Sequence, residues 1–340
     1  MEALEKFLPQ FWFFVLGLFL FLYVLLDGFD LGVGILSLTS SSEERRSMLM
    51  TSLGNVWDAN ETWLVLVGGS LFGAFPLAYG TILNALYLPA LIMVVGLLFR
   101  AVSFEFRENA DNKRVWNVAF GAGSFLAALG QGFALGTVFE GIAVDTSGHF
   151  IGGPFDWLTW RTVLVALTLI QGYVLVGSTY LIMKTSGELQ QTHYGTAKLA
   201  TVTTFIGAVF ITISTPLLSS QIGVRLFEPP LLYVFALIPI LGVAIVGLLL
   251  RSLQQQEEEV TPFIWTVSLF FLSFVGLGFL IFPSIIPPSV TIYEAAASPS
   301  SLVFMAIFVG FLIPILLAYT VYNYFVFRGK IDPAQAYGDE

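Results

Sequence analysis

Cysteine is absent from this 340-residue chain, which excludes disulfides, thiolate metal sites and iron–sulfur clusters. Charge is scarce too: Asp, Glu, Lys and Arg make up 11% of the residues, against 56% hydrophobic ones. A soluble domain of this length needs far more polar surface. With a mean hydropathy of +0.85, the chain reads as an integral membrane protein with little soluble mass. Histidine is nearly missing: only His149 and His193 occur, and both fall in stretches read as connecting segments. Neither occupies an apolar helix where an imidazole could hold a haem iron. There is no phosphate-binding glycine loop, nucleophile elbow or histidine pair at metal spacing. No basic patch with interleaved aromatics offers a nucleic-acid surface.

Long apolar runs are what the chain does have. A span takes roughly 20 mostly apolar residues to cross about 30 Å of hydrocarbon at about 1.5 Å per residue. The runs then predict an all-α, polytopic architecture of about nine transmembrane helices. Their limits are Phe11–Leu26, Trp57–Tyr79, Thr81–Phe99, Val115–Phe139, Trp160–Met183, Thr196–Leu218, Pro230–Leu250, Pro262–Phe282 and Leu302–Phe327. A short turn at Tyr79–Gly80 divides the second from the third. Residues 1–340 read as a single transmembrane domain without internal repeats, and the first run, with no small-residue cleavage site after it, as a retained span. The longest outer loop, Glu140 to Arg161, is glycine-rich and carries no legible role.

Net charge, −9, says little about partners, because orientation follows Lys and Arg. With the N-terminus outside and the C-terminus cytoplasmic, the inner side collects Arg45, Arg46, Arg100, Arg107, Lys113, Arg114, Lys184, Lys198, Arg251, Arg328 and Lys330. The outer side keeps Lys6, Arg161 and Arg225. Tryptophans at 12, 57, 63, 116, 157, 160 and 265 lie mostly near helix ends, as interfacial belts require.

Acids mark the candidate chemistry, since ionisable groups at membrane depth pair, line wet cavities or carry ions. Asp58 and Glu61 stand between Trp57 and Trp63 in GNVWDANETWLVLV, and Asp27 and Asp30 end the first run in LLDGFDLGVG. All four fall near the inner face. Each pair has the three-residue spacing that shares one helix face. A structural reading competes for all of them: Asn55 as an N-cap with Asp58 in the first helical turn, and Asp27 as a span end with Gly28, Gly32 and Gly34 making a turn or a close helix contact. In LFRAVSFEFR, Arg100, Glu105 and Arg107 read first as an orientation-setting basic segment that snorkels. Pairing of Arg100 or Arg107 with one of the four acids is the alternative.

The blocks LDGFDLGVG, GNVWDANETWL, LFRAVSFEFR, QGYVLVGSTYLIMKTSGEL and IFPSIIPPS resemble, in this order, subunit II of cytochrome bd-type quinol oxidases. The resemblance runs from the first helix to the eighth, and the last fits in length and placement. It implies a nine-helix chain paired with a homologously folded subunit I across a pseudo-twofold interface. It further implies that subunit I carries two haems b and a haem d (or a haem b substitute) and oxidises quinol near the outer face. The complex then reduces dioxygen to water with cytoplasmic protons, building a proton gradient without pumping. No cofactor is ligated by this chain itself on that reading. An inner proton path at the subunit interface includes an acid at the position of Asp58; Asp27 and Asp30 match the DGFD motif. Two departures, the short connection SSQIGVRLFEPP and Glu61 where some members have Gln, look more like the cyanide-insensitive branch.

The sequence therefore leads to a haem-free second subunit of a quinol:oxygen oxidoreductase in a bacterial plasma membrane (or an internal membrane of a photosynthetic bacterium). Its expected partners are subunit I, membrane lipid and quinol, with room for small accessory subunits and none for nucleic acid. Asp58 is the expected proton carrier and Glu61 a second candidate. Asp27, Asp30, Trp57, Arg100, Glu105 and Arg107 are expected to serve structure or proton uptake. The rivals are a purely structural subunit of the same complex and, more distantly, a proton-coupled transporter, which the lack of repeats and of a mid-span acid disfavours.

Overall fold

The structure is a computed structural model that describes residues 2–54, 56–218, 228–229 and 231–331, with side chains left out at 2–5, 216–218 and 231. Asn55, Arg225 and most of the 219–230 connection lie outside the described residues. Twelve helices and one hairpin occur among those described. The helices are α1 Glu2–Ser37, α2 Glu43–Thr51, α3 Trp57–Ala74, α4 Pro76–Ala85, α5 Tyr87–Glu108, α6 Lys113–Glu140, α7 Trp160–Lys184 and α8 Gly187–Leu218. They continue with α9 Leu231–Gln255, α10 Thr261–Ile281, α11 Ile292–Ala295 and α12 Pro299–Val326. Strands β1 (Ser284–Ile286) and β2 (Val290–Thr291) pair antiparallel, with Ser284 opposite Thr291.

Eight of the described helices are long and apolar enough to cross a membrane, and the expected second span falls on α3 and the start of α4, which are separated at Phe75. The break corrects the expected turn at Tyr79–Gly80, which lies inside α4. The chain leaves helical geometry instead at Phe75 (φ −135°, ψ 64°) and again at Leu86. Pro76 is the cause at the first point, since its ring pushes the preceding residue out of the α region while fitting the first position of the next helix.

The first helix also differs from expectation. It does not end at Leu26 but runs to Ser37, placing Asp27 ten residues, or about 15 Å, from its end. Both DGFD acids therefore lie within the span, and its glycines make close contacts rather than a turn. A Cβ on Gly32 would sit 1.8 Å from the Tyr173 carbonyl oxygen of α7, and one on Gly177 would sit 2.8 Å from the Gly32 backbone. Small residues on both sides let the two backbones meet, the usual way membrane helices maximise dispersion contact. α1 thus becomes the central post of the bundle, packed against α3, α6 and α7.

At the end where α1 begins, a cap closes the bundle. The 141–159 loop bridges Val144 to Phe150 and lies against the hairpin through Ile142 N–H to Pro287 O, 3.3 Å. Thr81 of α4 donates to Gly148 O at 2.7 Å, and Ala297 N–H to Ala74 O at 2.8 Å. Trp12 and Trp63 belong to the core rather than to an interfacial belt: both are buried, and the Trp12 indole donates to Leu302 O at 3.1 Å.

Candidate functional site

Three helices converge on one guanidinium. Arg100, two turns before the end of α5, is fully buried; its Nη1 meets Asp27 Oδ1 of α1 at 2.6 Å and its Nη2 meets Glu61 Oε1 of α3 at 2.5 Å. Arg100 therefore does not snorkel; it joins two of the four acids. Its fork geometry suits two carboxylates better than a lysine point charge would. The third acid, Asp30, is fully buried one turn beyond Asp27 and accepts from Asn60 Nδ2 at 2.8 Å. Asn60 in turn accepts from the Tyr324 hydroxyl of α12 at 2.9 Å.

Charge does not balance here: one cation serves three carboxyl groups. Asp27 Oδ2, Asp30 Oδ1 and Arg100 Nε have no hydrogen-bond partner within the described chain. Buried ions without full satisfaction are costly, so the cluster is unusual for a purely structural core.

Asp58 stands apart from this cluster. It is exposed in the first turn of α3, where its Oδ1 accepts from the Ala59 N–H at 2.8 Å. The residue preceding α3 is Val56, without a side-chain cap. Trp57 stacks on Phe104 with centroids 5.0 Å apart and planes 3° from parallel, and Glu105 is exposed. Asp58 shares its helix stripe with Val65 (73% exposed) and Phe72 (62% exposed), because positions seven apart fall on one side of a helix.

Arg107 is also fully buried, in a network that contains none of the four acids. Its Nη2 contacts Glu43 Oε1 at 2.6 Å and Ser47 Oγ at 2.7 Å, its Nε donates to Asn117 Oδ1 at 2.7 Å, and Asn117 returns a bond to Glu43 Oε2 at 2.7 Å. This ties the short α2 to α5 and α6. Sequence reasoning did not single out Glu43, although Glu43, Ser47 and Met50 mark one face of α2 at helical spacing. It also missed a polar chain in mid-bundle, where Gln131 donates to the Tyr23 hydroxyl at 2.6 Å and accepts from the Tyr173 hydroxyl at 2.5 Å. An isolated glutamine in the apolar run of α6 is the signal that was available.

The two histidines part company. His149 is exposed on the cap loop near Asp145. His193 is 4% exposed and lies inside α8, not in a connecting segment. The polar stretch GELQQTHYGTAK continues the helix before its apolar part begins, which a hydropathy threshold cannot register. No group of three or more His, Asp or Glu side chains placed to hold a metal occurs among the described residues.

Comparison with known proteins identifies the family of the chain. The family model for cytochrome bd terminal oxidase subunit II matches residues 8–327. Cytochrome bd-I ubiquinol oxidase subunit 2 of Escherichia coli K12 is 27% identical over 361 aligned positions, covering 94% of each chain. Cytochrome bd ubiquinol oxidase subunit 2 of Bacillus subtilis 168 is 26% identical, covering 96% of this chain and 97% of the relative. The bd oxidase structure from Geobacillus thermodenitrificans shares the fold, with a TM-score of 0.77 at 17% identity over 94% of this chain and 98% of that one. The chain belongs to the cytochrome bd terminal oxidase subunit II family, and is an integral membrane subunit of a bacterial quinol oxidase complex.

Proposed function

We propose that this chain is the haem-free partner of the haem-bearing subunit I, and that it lines a proton path from the cytoplasm to the site of dioxygen reduction. The observation that carries the reading is a graded run of carboxyl groups: Asp58 exposed, Glu61 partly exposed one turn along α3, and Asp27 and Asp30 fully buried behind it. Asp58 is the proposed carrier and Glu61 the next group inward. Asp27, fixed by Arg100, positions the cluster. The surplus of acid over base around Arg100 gives a proton a place to reside without adding a net charge to the interior.

Docking to subunit I is supported by the Asp58–Val65–Phe72 stripe. A carboxylate on the same exposed face as large apolar groups suits neither lipid nor open water, and a protein partner covering the stripe resolves both. The N-outside, C-inside orientation rests on the distribution of Lys and Arg. Haems in subunit I would relay electrons from quinol and supply the dioxygen-binding iron. Neither histidine here fits an axial ligand: His149 is exposed, and His193 lies beside Arg45, whose fixed positive charge opposes a cationic iron. That supports placing the haems in subunit I.

The test is Asp58→Asn in the intact complex. Assembly and haem absorption should match wild type while quinol oxidase turnover falls on the order of a hundredfold, the contribution typical of a positioned proton-transfer group. Undiminished turnover in a fully assembled variant would leave the chain a structural subunit only.

A further inference from the structure

The proton reading leaves unused a charged crevice at the opposite end of the bundle. Between the ends of α6, α7 and α8 lies a shallow surface cleft lined by Phe139, Glu140, Arg161, Leu164, Ile211 and Ser214, among others. Arg161 is 15% exposed and Glu140 is 21% exposed, so both are largely withdrawn from solvent. The contact between them is loose, Nε to Oε1 at 3.9 Å, beyond hydrogen-bond range. Glu140 Oε1 is held instead by the Thr159 hydroxyl at 2.8 Å, and the Ser214 hydroxyl is spent on Ile211 O at 3.1 Å. Neither terminal nitrogen of Arg161 has a partner among the described residues. A guanidinium fork that the described residues leave open suits an anionic oxygen group.

Position decides what that anion is. Arg161 is the second residue of α7, immediately after the exposed Trp160, and the preceding loop exposes Ile151, Phe155 and Leu158. Aromatic and apolar side chains projecting at a helix start mark the membrane–water boundary. The crevice walls below are apolar: Phe139, Leu164 and Ile211. A cation, an anion and an oily wall match a zwitterionic glycerophospholipid group by group. We propose that this crevice is a phosphatidylethanolamine site: the Arg161 fork takes the phosphate, Glu140 the ammonium, and the α6–α8 wall the first part of an acyl chain.

Native mass spectrometry of the purified complex, delipidated and then titrated with phosphatidylethanolamine or phosphatidylglycerol, tests it. Wild type should hold one phosphatidylethanolamine more tightly than the rest. Arg161→Gln should lose that tight site, about tenfold in affinity, whereas Arg161→Lys should keep most of it. Glu140→Gln should keep phosphate binding and lose the preference for ethanolamine over glycerol headgroups. Equal lipid retention by wild type and Arg161→Gln would overturn the proposal, and so would equal preference for both lipids in wild type. Because Arg161→Gln can fail to assemble, a second measurement uses wild type alone: photoactivatable phosphatidylethanolamine with a diazirine near the glycerol should label peptides containing Phe139, Leu164 or Ile211. Labelling confined to other helices would equally sink the idea.

Discussion

Arg100 of α5 donates to Asp27 of α1 across 2.6 Å, and neither side chain retains any exposed surface. The pair stands 73 positions apart in sequence, and it fixes the central post of the bundle to the helix that also faces Glu61. Removing one member leaves a buried charge uncompensated, which costs about 3–5 kcal/mol. Arg100→Gln should therefore abolish recovery of assembled complex or sharply lower its half-inactivation temperature, with Arg100→Lys intermediate. A fully stable Arg100→Gln complex would show that the pair is not what holds α1 and α5 in place.

Glu61 shares Arg100 with Asp27, so Glu61→Gln keeps a hydrogen-bond acceptor while leaving Arg100 one full counter-charge. We expect turnover to fall less than about tenfold, well short of Asp58→Asn. Steady-state oxygen consumption by the two variants ranks them. A Glu61→Gln defect as deep as that of Asp58→Asn would make Glu61 the principal carrier.

Gly32 admits no side chain, because its would-be Cβ overlaps the Tyr173 carbonyl. Gly32→Ala must push α1 and α7 apart, and overpacking of this kind costs about 1–3 kcal/mol or more. Gly195→Ala, with nothing within 4 Å of the added methyl, is the matched control and should be neutral. Thermal inactivation of the two solubilised complexes separates them; equal midpoints would contradict the contact.

Asn60 sits between Asp30 and Tyr324. Tyr324→Phe removes one neutral hydrogen bond, at about 1 kcal/mol. Asn60→Leu also strips Asp30 of its donor and should cost about 1–3 kcal/mol. A double-mutant cycle on heat inactivation should show the two effects to be non-additive, since they interrupt one chain of bonds.

Much of this was legible beforehand, and the misses have physical causes. Apolar run length located the spans because it measures the solvent the helix crosses. It placed the boundary between the second and third spans at Tyr79–Gly80, whereas the chain leaves helical geometry at Phe75, where the backbone effect of Pro76 outweighs composition, and at Leu86. It cut the first helix at Leu26 because a hydropathy scale treats every Asp as a boundary, whereas Asp27 and Asp30 are carried inside by partners on α5 and α3. The acids themselves stood out by their context. Their partners did not: nothing local in LFRAVSFEFR distinguishes Arg100, which is buried against α1, from a snorkelling arginine. His193 was misread for the opposite reason, as a polar stretch can stay helical and buried where neighbouring helices cover it.

The interruption at Phe75 gives the second crossing a property a straight rod would lack. Asp58, Asn60 and Glu61 all ride on the first turn and a half of α3, while the cap is fastened to α4 and to the last residue of α3. The Thr81 attachment reaches the carboxyl groups only across that break, whereas the Ala74 attachment reaches them along one unbroken helix, and the cluster itself is tied to α1, α5 and α12.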